Sequence, residues 1–424
     1  MKRANAYFSK LIPLLILIIA GESVFLLPFV LTRIFRPTFL KVFEISNYHL
    51  GLAFSVYGII AMISYFFGGM LADRFSAKKL MSSSLIVTGI LGFVLIYFRS
   101  QAGLTFIYGC FGITTILLFW AAFTKSTRMI GGRKSQGKSF GTVDAGRGLL
   151  AAIIASGSVL LFEAFLPASS SVNPTIPQLK NAFTKIIFSF SILTILSGIL
   201  VWFLLPDLDS TKKAIKKKSR KLSFESVIKV SKVRSVRWQA VIVMCSYVGY
   251  KCTDDFSLFA ADAFHYKDVT AAHFGTISFW IRPLAAITAG FLADRFQTSK
   301  IIFLHFMIMA VGSLLLGSGF IAFNFSAFFI VSIAISSVGI YGLRGLYFAL
   351  FEEAKIPLKL TGSAIGLVSF IGFTPDIFVG PLMGYLTDHY QGALGHQILF
   401  LILCGFSLLG GFATVKFRKS LNIH

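Results

Sequence analysis

Charged side chains stand inside several stretches that are otherwise apolar. If these stretches cross a bilayer, each ionised group near its centre costs at least about 2.5–3.5 kcal/mol, so each needs a partner or a function. The basic residues in such stretches are Arg147, Lys251, Arg282 and Arg344, and the acidic ones are Glu22, Asp144, Asp254, Asp255 and Asp376.

Helical spacing supplies partners for some of these charges. Asp144 stands three residues before Arg147, while Lys251 stands three before Asp254 and four before Asp255. Residues three or four apart are neighbours on a helix surface, so ion pairs within one helix are expected here. The pair Asp144 and Arg147, close to one end of its apolar stretch, also fits a gating role.

Four charges have no opposite charge at helical spacing: Arg282, Arg344, Glu22 and Asp376. They must be balanced across helices, protonated, or matched by a ligand. A guanidinium binds carboxylate or phosphate bidentately, so we expect Arg282 and Arg344, with Lys251, to bind an anionic group. Desolvation favours the protonated form of an acid, so Glu22 and Asp376 are candidates to bind and release protons.

Four tyrosines lie close in sequence to these basic residues. Most aromatic side chains in this chain are expected to pack against lipid or neighbouring helices. Those that flank Lys251 and Arg344 at near-helical spacing are candidates to line the same site. They are Tyr247, Tyr250, Tyr341 and Tyr347.

The elements that must position these residues are membrane helices. The chain has 424 residues, of which 56% are hydrophobic and only 13% charged, with a mean hydropathy of +0.79, whereas soluble domains are about 25% charged. A spanning helix needs about 20 mostly apolar residues. Twelve such runs lie near 11–32, 50–72, 80–98, 103–124, 141–166, 183–205, 236–262, 271–293, 300–321, 325–351, 361–387 and 395–415. The sequence therefore predicts an all-α integral membrane protein.

One segment occurs twice, at 69–80 and 290–301, each time between two apolar runs. It resembles the signature Gly-x-x-x-Asp-(Arg/Lys)-x-Gly-x-(Arg/Lys)-(Arg/Lys) of the major facilitator superfamily, with Ser76 where the family prefers glycine. The first copy matches at Gly69, Asp73, Arg74, Lys78 and Lys79, and the second at Gly290, Asp294, Arg295 and Lys300.

The resemblance implies two six-helix bundles that open alternately to each side of the membrane. They would comprise residues 1–205 and 236–424, joined by a basic cytoplasmic linker at 206–235. It further implies a secondary transporter without cofactor or enzymatic activity, in which Asp73, Arg74, Asp294 and Arg295 act in gating. We expect a monomer.

The distribution of lysine and arginine predicts the orientation. Placing both termini in the cytoplasm puts most basic residues there, as the positive-inside bias requires, and this explains the net charge of +23 without nucleic acid. A bacterial inner membrane is the expected location. The linker, rich in lysine between 212 and 221, is expected to contact anionic lipid.

The unpaired arginines favour a small anionic or zwitterionic metabolite, and the chain is similar in this to the organic-anion and organophosphate branches. The organophosphate exchangers carry arginine on helices one and seven, where this chain has Glu22 and Lys251. A proton-coupled efflux pump for drugs is an alternative, although the antiporter motif Gly-x-x-x-Gly-Pro is missing from helix five. A non-transporting membrane sensor is another.

No metal-ligating or catalytic constellation is evident in the sequence. Residues 132–139 match a nucleotide-binding loop pattern, but they lie between two apolar runs, where no strand precedes them. We interpret them as a basic loop.

Overall fold

A computed structural model describes residues 2–98, 100–131, 136–167, 174–207, 224–320, 326–354, 356 and 361–421. Within these residues the chain is helical, with no strand. Residues 132–135 of the nucleotide-like loop (132–139) and residues 208–223 of the linker (206–235) lie outside the described residues.

The helices before the linker form six spans. Span 1 is broken, and the short α3 follows it. The bounds are α1 Lys2–Ser23, a π-helical segment Leu26–Val30, α2 Leu31–Ile34, α3 Arg36–Phe43, α4 Asn47–Arg74, α5 Ala77–Tyr97, α6 Gln101–Gly112, a π-helical segment Ile113–Trp120, α7 Ala121–Gly131, α8 Gln136–Phe165 and α9 Ile176–Leu204.

The helices after the linker form six more spans. They are preceded by the short α10, whose Val230 is buried in the core of this half. The bounds are α10 Phe224–Ser231, α11 Arg234–Cys252, a 3₁₀ segment Thr253–Asp255, α12 Phe256–Phe264, α13 Asp268–Arg295, α14 Thr298–Gly317, α15 Ser326–Leu346, α16 Leu350–Glu353, α17 Thr361–Gly372, α18 Pro375–His389 and α19 Ala393–Leu421.

Length and apolarity identify most of these spans as membrane-crossing. In the described part of the chain, 10 helices pass both tests, and the pair Leu11–Ser23 and Leu26–Ile34, bent by 41°, makes an eleventh. The remaining span, from Arg234 to Phe264, is not among them; it is interrupted by the 3₁₀ segment Thr253–Asp255 and carries six charged side chains. It nevertheless runs through the core of the second half, so the prediction of an all-α protein with twelve spans is confirmed.

The spans pack around separate hydrophobic cores. One core is built from residues between Val230 and Phe417, and two others lie between Ile16 and Leu205, with Ala272 and Phe279 added. The first half packs on the second mainly through α4 against α18 and α8 against α13. At the α4–α18 crossing a Cβ on Gly51 would lie 2.3 Å from the carbonyl oxygen of Gly380, so only glycine permits this approach.

Five spans are interrupted, four of them along their length and span 10 at the end of its membrane-crossing helix. Spans 1 and 4 contain π-helical segments, span 7 contains the 3₁₀ turn, and spans 10 and 11 are broken near Tyr347 and Phe373. Irregular backbone is tolerated within a membrane only where protein or a cavity surrounds it. Discontinuous helices are also where transporters place their binding sites. The interruptions therefore indicate where a site would be built.

Candidate substrate-binding site

Glu22 lies among arginines from other spans. Its Oε2 is 3.5 Å from Arg147 Nε and 3.7 Å from Arg282 Nη1. Asp144 Oδ1 is in turn 3.8 Å from Arg147 Nη1 and 3.7 Å from Arg282 Nη2. Glu22 is buried, whereas the Asp144 side chain is 47% exposed. Spans 1, 5 and 8 thus bring together two carboxylates and two guanidinium groups, open to solvent at Asp144.

A second group of charges surrounds the interruption of span 7. Lys251 Nζ lies 3.4 Å from Asp254 Oδ2 and 3.4 Å from Asp376 Oδ1. The Tyr247 hydroxyl donates to Asp376 Oδ2 at 3.1 Å, and Arg33 Nε donates to Asp254 Oδ1 at 2.5 Å. Asp376, which has no partner at helical spacing, is therefore balanced by Lys251 from another span.

Arg344 differs from the other basic residues. Its guanidinium carbon lies 3.6 Å from the centre of the Tyr250 ring, a cation–π contact. No carboxylate lies within ion-pair distance of it among the described residues, and its Nη1 is buried without a hydrogen-bond partner. Tyr250 connects it to the second group, since the Tyr250 hydroxyl accepts a hydrogen bond from Arg33 Nη1 at 3.3 Å.

The charges of the two groups and Arg344 do not cancel. We call these nine side chains the central cluster: Arg33, Arg147, Lys251, Arg282, Arg344, Glu22, Asp144, Asp254 and Asp376. Five are basic and four acidic, which leaves one positive charge even when every acid is ionised.

Aromatic rings border the cluster. The Tyr247 ring lies 4.9 Å from that of Phe373, which stacks at 5.7 Å on Tyr65. The rings of Tyr250 and Tyr341 are 6.3 Å apart. Tyr341 is buried and its hydroxyl has no partner within the described structure. Tyr347 is also buried, at the end of α15. The four predicted tyrosines thus lie in span 7 and span 10; Tyr250 contacts Arg344, and Tyr341 and Tyr347 flank it in sequence.

Because the number of spans is even, both chain ends lie on the same side of the membrane. We call this side the termini side and the opposite side the far side. On the far side the halves are joined: Lys41 Nζ lies 2.8 Å from Asp268 Oδ2. Asp388 of α18 accepts from the backbone N–H groups of Asn47 and Tyr48 at 3.1 and 2.7 Å, at the first turn of α4. The far side is therefore closed.

On the termini side of the contacts that Arg282 makes with Glu22 and Asp144, the described polar contacts stay within each half. The Ser299 hydroxyl donates to Glu353 at 2.9 Å in the second half, and Lys125 Nζ donates to the Ala72 carbonyl at 2.6 Å in the first. The gating residues that the repeated motif predicts are exposed: Asp73, Arg74, Asp294 and Arg295. A Cβ on Gly69 or Gly290 would meet nothing within 4 Å. The protein is thus open toward the termini side.

Residues 11–252 match the sequence model of the Major Facilitator Superfamily. The chain belongs to this superfamily. The inner membrane protein YqcE of Escherichia coli K12 is 27% identical over 90% of this chain and 88% of its own length. YihN of the same organism is 26% identical over 96% of this chain and 95% of its own. The protein is therefore an integral membrane protein.

Solved structures of other members show the same fold. The nucleoside transporter NupG superposes with a TM-score of 0.71 at 15% identity, covering 96% of this chain and 99% of its own. An inward-facing, unoccupied bacterial homologue of the lysosomal transporter Spinster gives 0.74 at 11% identity, covering 98% of both chains. The fold is that of major facilitator transporters.

The surroundings of four charged residues differ from what the sequence predicted. Arg33 and Arg36, which follow the first apolar run at 11–32, are buried, because span 1 continues to Ile34 and α3 follows at once. Helical spacing predicted that Asp255 pairs with Lys251, but Asp255 instead contacts His396 Nδ1 at 2.7 Å. Arg147 contacts Glu22 of span 1 in addition to Asp144, its partner at helical spacing.

Proposed function

We propose that this protein is a secondary transporter that moves a small anionic or zwitterionic metabolite by alternating access. The basic residues concentrated on the termini side, together with the inner-membrane relatives, support assigning that side to the cytoplasm of a bacterial cell. The described conformation would then open inward. We expect the protein to work as a monomer, and the lysine-rich linker to rest on anionic lipid.

The unpaired guanidinium of Arg344 is the observation that carries this proposal. Arg344 is half-buried, and its Nη1 is fully buried without a hydrogen-bond partner in the described structure. Desolvating a charge without a counter-ion is costly, and an anionic group placed beside it reduces that cost. Arg344 is held by the face of Tyr250, which orients the guanidinium and leaves its edge available for a carboxylate or phosphate. The excess positive charge of the central cluster favours the same ligand.

Arg282 and Lys251 are proposed as further contacts to the ligand. The nitrogen–oxygen distances from Arg282 to Glu22 and Asp144 are both 3.7 Å, longer than the about 2.7–3.2 Å of a good hydrogen bond. These pairs are therefore loose enough for an incoming anion to compete. The rings of Tyr247, Tyr250, Tyr341 and Tyr347 would bind the body of the ligand.

Proton coupling is proposed at Glu22 and Asp376, because each carboxyl contacts a basic residue of another span. Protonation of either acid would release that base toward the ligand. The same contacts link spans 1, 5 and 8, and spans 7 and 11, so proton binding would also change how these spans pack. Asp144 and Arg147 would act as gating residues from within this cluster.

The substrate proposal can be tested by a thermal-shift screen of purified protein against metabolites, at two pH values. Matched pairs, each a carboxylate and its neutral amide, separate charge from shape. We expect stabilising compounds to carry a carboxylate or phosphate. Their affinity should fall at least tenfold in Arg344→Gln and several-fold in Arg344→Lys, because lysine lacks the planar fork. Arg237→Gln, an exposed arginine outside the cluster, is the control.

Uptake into proteoliposomes then tests transport. Accumulation of the stabilising anion, reduced in Arg344→Gln but not in Arg237→Gln, supports the proposal. Stabilisation only by cationic or neutral lipophilic compounds would instead indicate an efflux pump. Specific binding without any movement of solute would indicate a sensor.

A further inference from the structure

His396 lies between two carboxylates on the far side of the central cluster. Its Nδ1 is 2.7 Å from Asp255 Oδ2 and its Nε2 is 3.1 Å from Asp262 Oδ2. His396 and Asp255 are completely buried, whereas Asp262 is 38% exposed. The Phe259 ring stacks on the imidazole at 4.7 Å with an interplanar angle of 8°, which fixes its orientation.

This geometry requires one more proton than a neutral imidazole carries. A neutral histidine has one N–H, so only one of its two nitrogens can donate to a carboxylate. The second contact needs either a proton on the other nitrogen or a protonated carboxyl. With both contacts made, the three side chains share a titratable proton and carry one net negative charge; without that proton they carry two.

The exposed end of this group opens into a cavity on the far side. The cavity has a volume of about 490 Å³ and lies between the two halves. Asp262 lines it, together with Lys41 and Asp388, and its remaining polar lining includes His265, Tyr266, Asn47 and Thr387. Water in a cavity of this size can deliver a proton to Asp262, and from there through the imidazole to the buried Asp255.

The buried end reaches the interruption of span 7. Asp255 follows Asp254 directly, and Asp254 binds Arg33 of the first half. Arg36, also from the first half, lies within electrostatic range of both aspartates, and both of its terminal nitrogens are buried without a hydrogen-bond partner in the described structure. Cys252 is the other titratable group beside Asp255. Phe329 of α15 packs against the Phe259 ring that stacks on His396. Asp388 of α18 is a further charged group that lines the cavity.

We propose that His396, Asp255 and Asp262 form a proton-binding site that is loaded from the far side and biases the far-side gate. Arg33 and Arg36 belong to the first half and face this site only while the far side is closed. Their positive charge opposes protonation in that state. By linkage, protonation of the site must favour separation of the halves on the far side. The proton site and its effect on the gate do not depend on the proposed transport function. Only the coupling of this proton to movement of a solute rests on that proposal.

Proton binding can be measured without a known substrate. Full-length protein with ¹⁵N-labelled histidine in nanodiscs reports the protonation of each imidazole, and His396→Gln identifies the His396 signal among the 7 histidines. We expect imidazolium at pH 6, converting to neutral imidazole at higher pH. In Asp262→Asn the ratio of imidazolium to neutral signal at one intermediate pH should fall at least fivefold.

His305→Gln is the matched control, because His305 is also buried in this half but its Nδ1 contacts a backbone carbonyl, that of Ile301, at 2.8 Å. This variant should leave the His396 titration unchanged. A His396 that stays neutral from pH 5 to pH 9, or a ratio that Asp262→Asn leaves unchanged, would overturn the proton-binding site. Asp262 is partly exposed, so its variant tests the site even if His396→Gln does not fold.

Gate coupling has its own readout. Spin labels at the exposed far-side positions Glu44 and Lys267 report the separation of the two halves. Acidification from pH 8 to pH 5.5 should increase the population of the longer distance in the wild type but not in Asp262→Asn. If the population of the longer distance does not change with pH in the wild type, the proposed coupling of the proton site to the gate is wrong. If both readouts behave as expected and no solute is transported, the proposed function fails while the proton site stands.

Discussion

Removing Asp388 should open the far side of the protein. This carboxylate accepts from the backbone N–H groups of Asn47 and Tyr48, the first two residues of α4, and thereby joins α18 to the other half. A carboxylate at a helix N-terminus contributes about 0.3–1 kcal/mol at an exposed site, and each hydrogen bond about 0.5–1.5 kcal/mol. Because Asp388 is exposed, we take the low end of each range, about 1.3 kcal/mol in all.

That loss corresponds to about a tenfold increase in the ratio of far-side-open to far-side-closed protein, since 1.36 kcal/mol is a factor of ten. Asp388→Ala should show the full effect. Asp388→Asn keeps one hydrogen-bond acceptor but loses the charge. If it retains about half of the stabilising free energy, the ratio of open to closed protein should rise only about threefold.

The assay is the labelling rate of a cysteine at Met383 by a membrane-impermeant maleimide added on the far side. Met383 is 1% exposed and lies beside Gly380 near the α4–α18 crossing, so it becomes accessible only when the halves separate. The control is Glu44→Gln, an exposed acid on the same face. A labelling rate in Asp388→Ala within twofold of the parent would refute the argument that this contact holds the gate closed.

Two further substitutions test the packing and the signature loop. Gly51→Ala would place a Cβ 2.3 Å from the Gly380 carbonyl oxygen and should destabilise the closed far side by about 1–3 kcal/mol, seen as a lower melting temperature and faster labelling at Met383. Gly405→Ala, where a Cβ meets nothing within 4 Å, should change neither, and equal behaviour of the two variants would contradict the packing argument. Asp73→Asn should leave the melting temperature unchanged, because Asp73 is exposed in this conformation, but slow transport if Asp73 latches the opposite one. Transport at the parental rate, at equal expression, would exclude the latch.

The fold followed from the sequence because crossing a bilayer imposes a length on every span. Twelve apolar runs and a repeated motif were sufficient to predict the helices. The interruptions of the spans were not predicted, although Leu26–Val30 contains Pro28 and Thr253–Asp255 contains two acidic residues. They depend on contacts between spans, which periodicity does not describe.

The candidate site was predictable in its members but not in its pairing. Helical spacing identifies partners on one helix, and it correctly gave the pair of Lys251 with Asp254. It could not show that Glu22 contacts Arg147 and Arg282 from two other spans. Arg33 and Asp254 are separated by 221 residues, and only the closed far side brings them together.

The charged seventh span also has a consequence for how the protein is made. Lys251, Asp254, Asp255 and Asp262 lie within one helical span, and each of these residue types costs about 2.5–3.5 kcal/mol when a translocon releases it into lipid at the helix centre. Asp254 is neutralised by Arg33 of span 1 and Asp255 by His396 of span 12. The first half is synthesised before span 7, so Arg33 can receive Asp254 as the span emerges. Asp255 must wait for His396, the product of 141 further residues of translation. Until span 12 is made, the buried carboxylate of Asp255 lacks the His396 partner that it has in the folded protein.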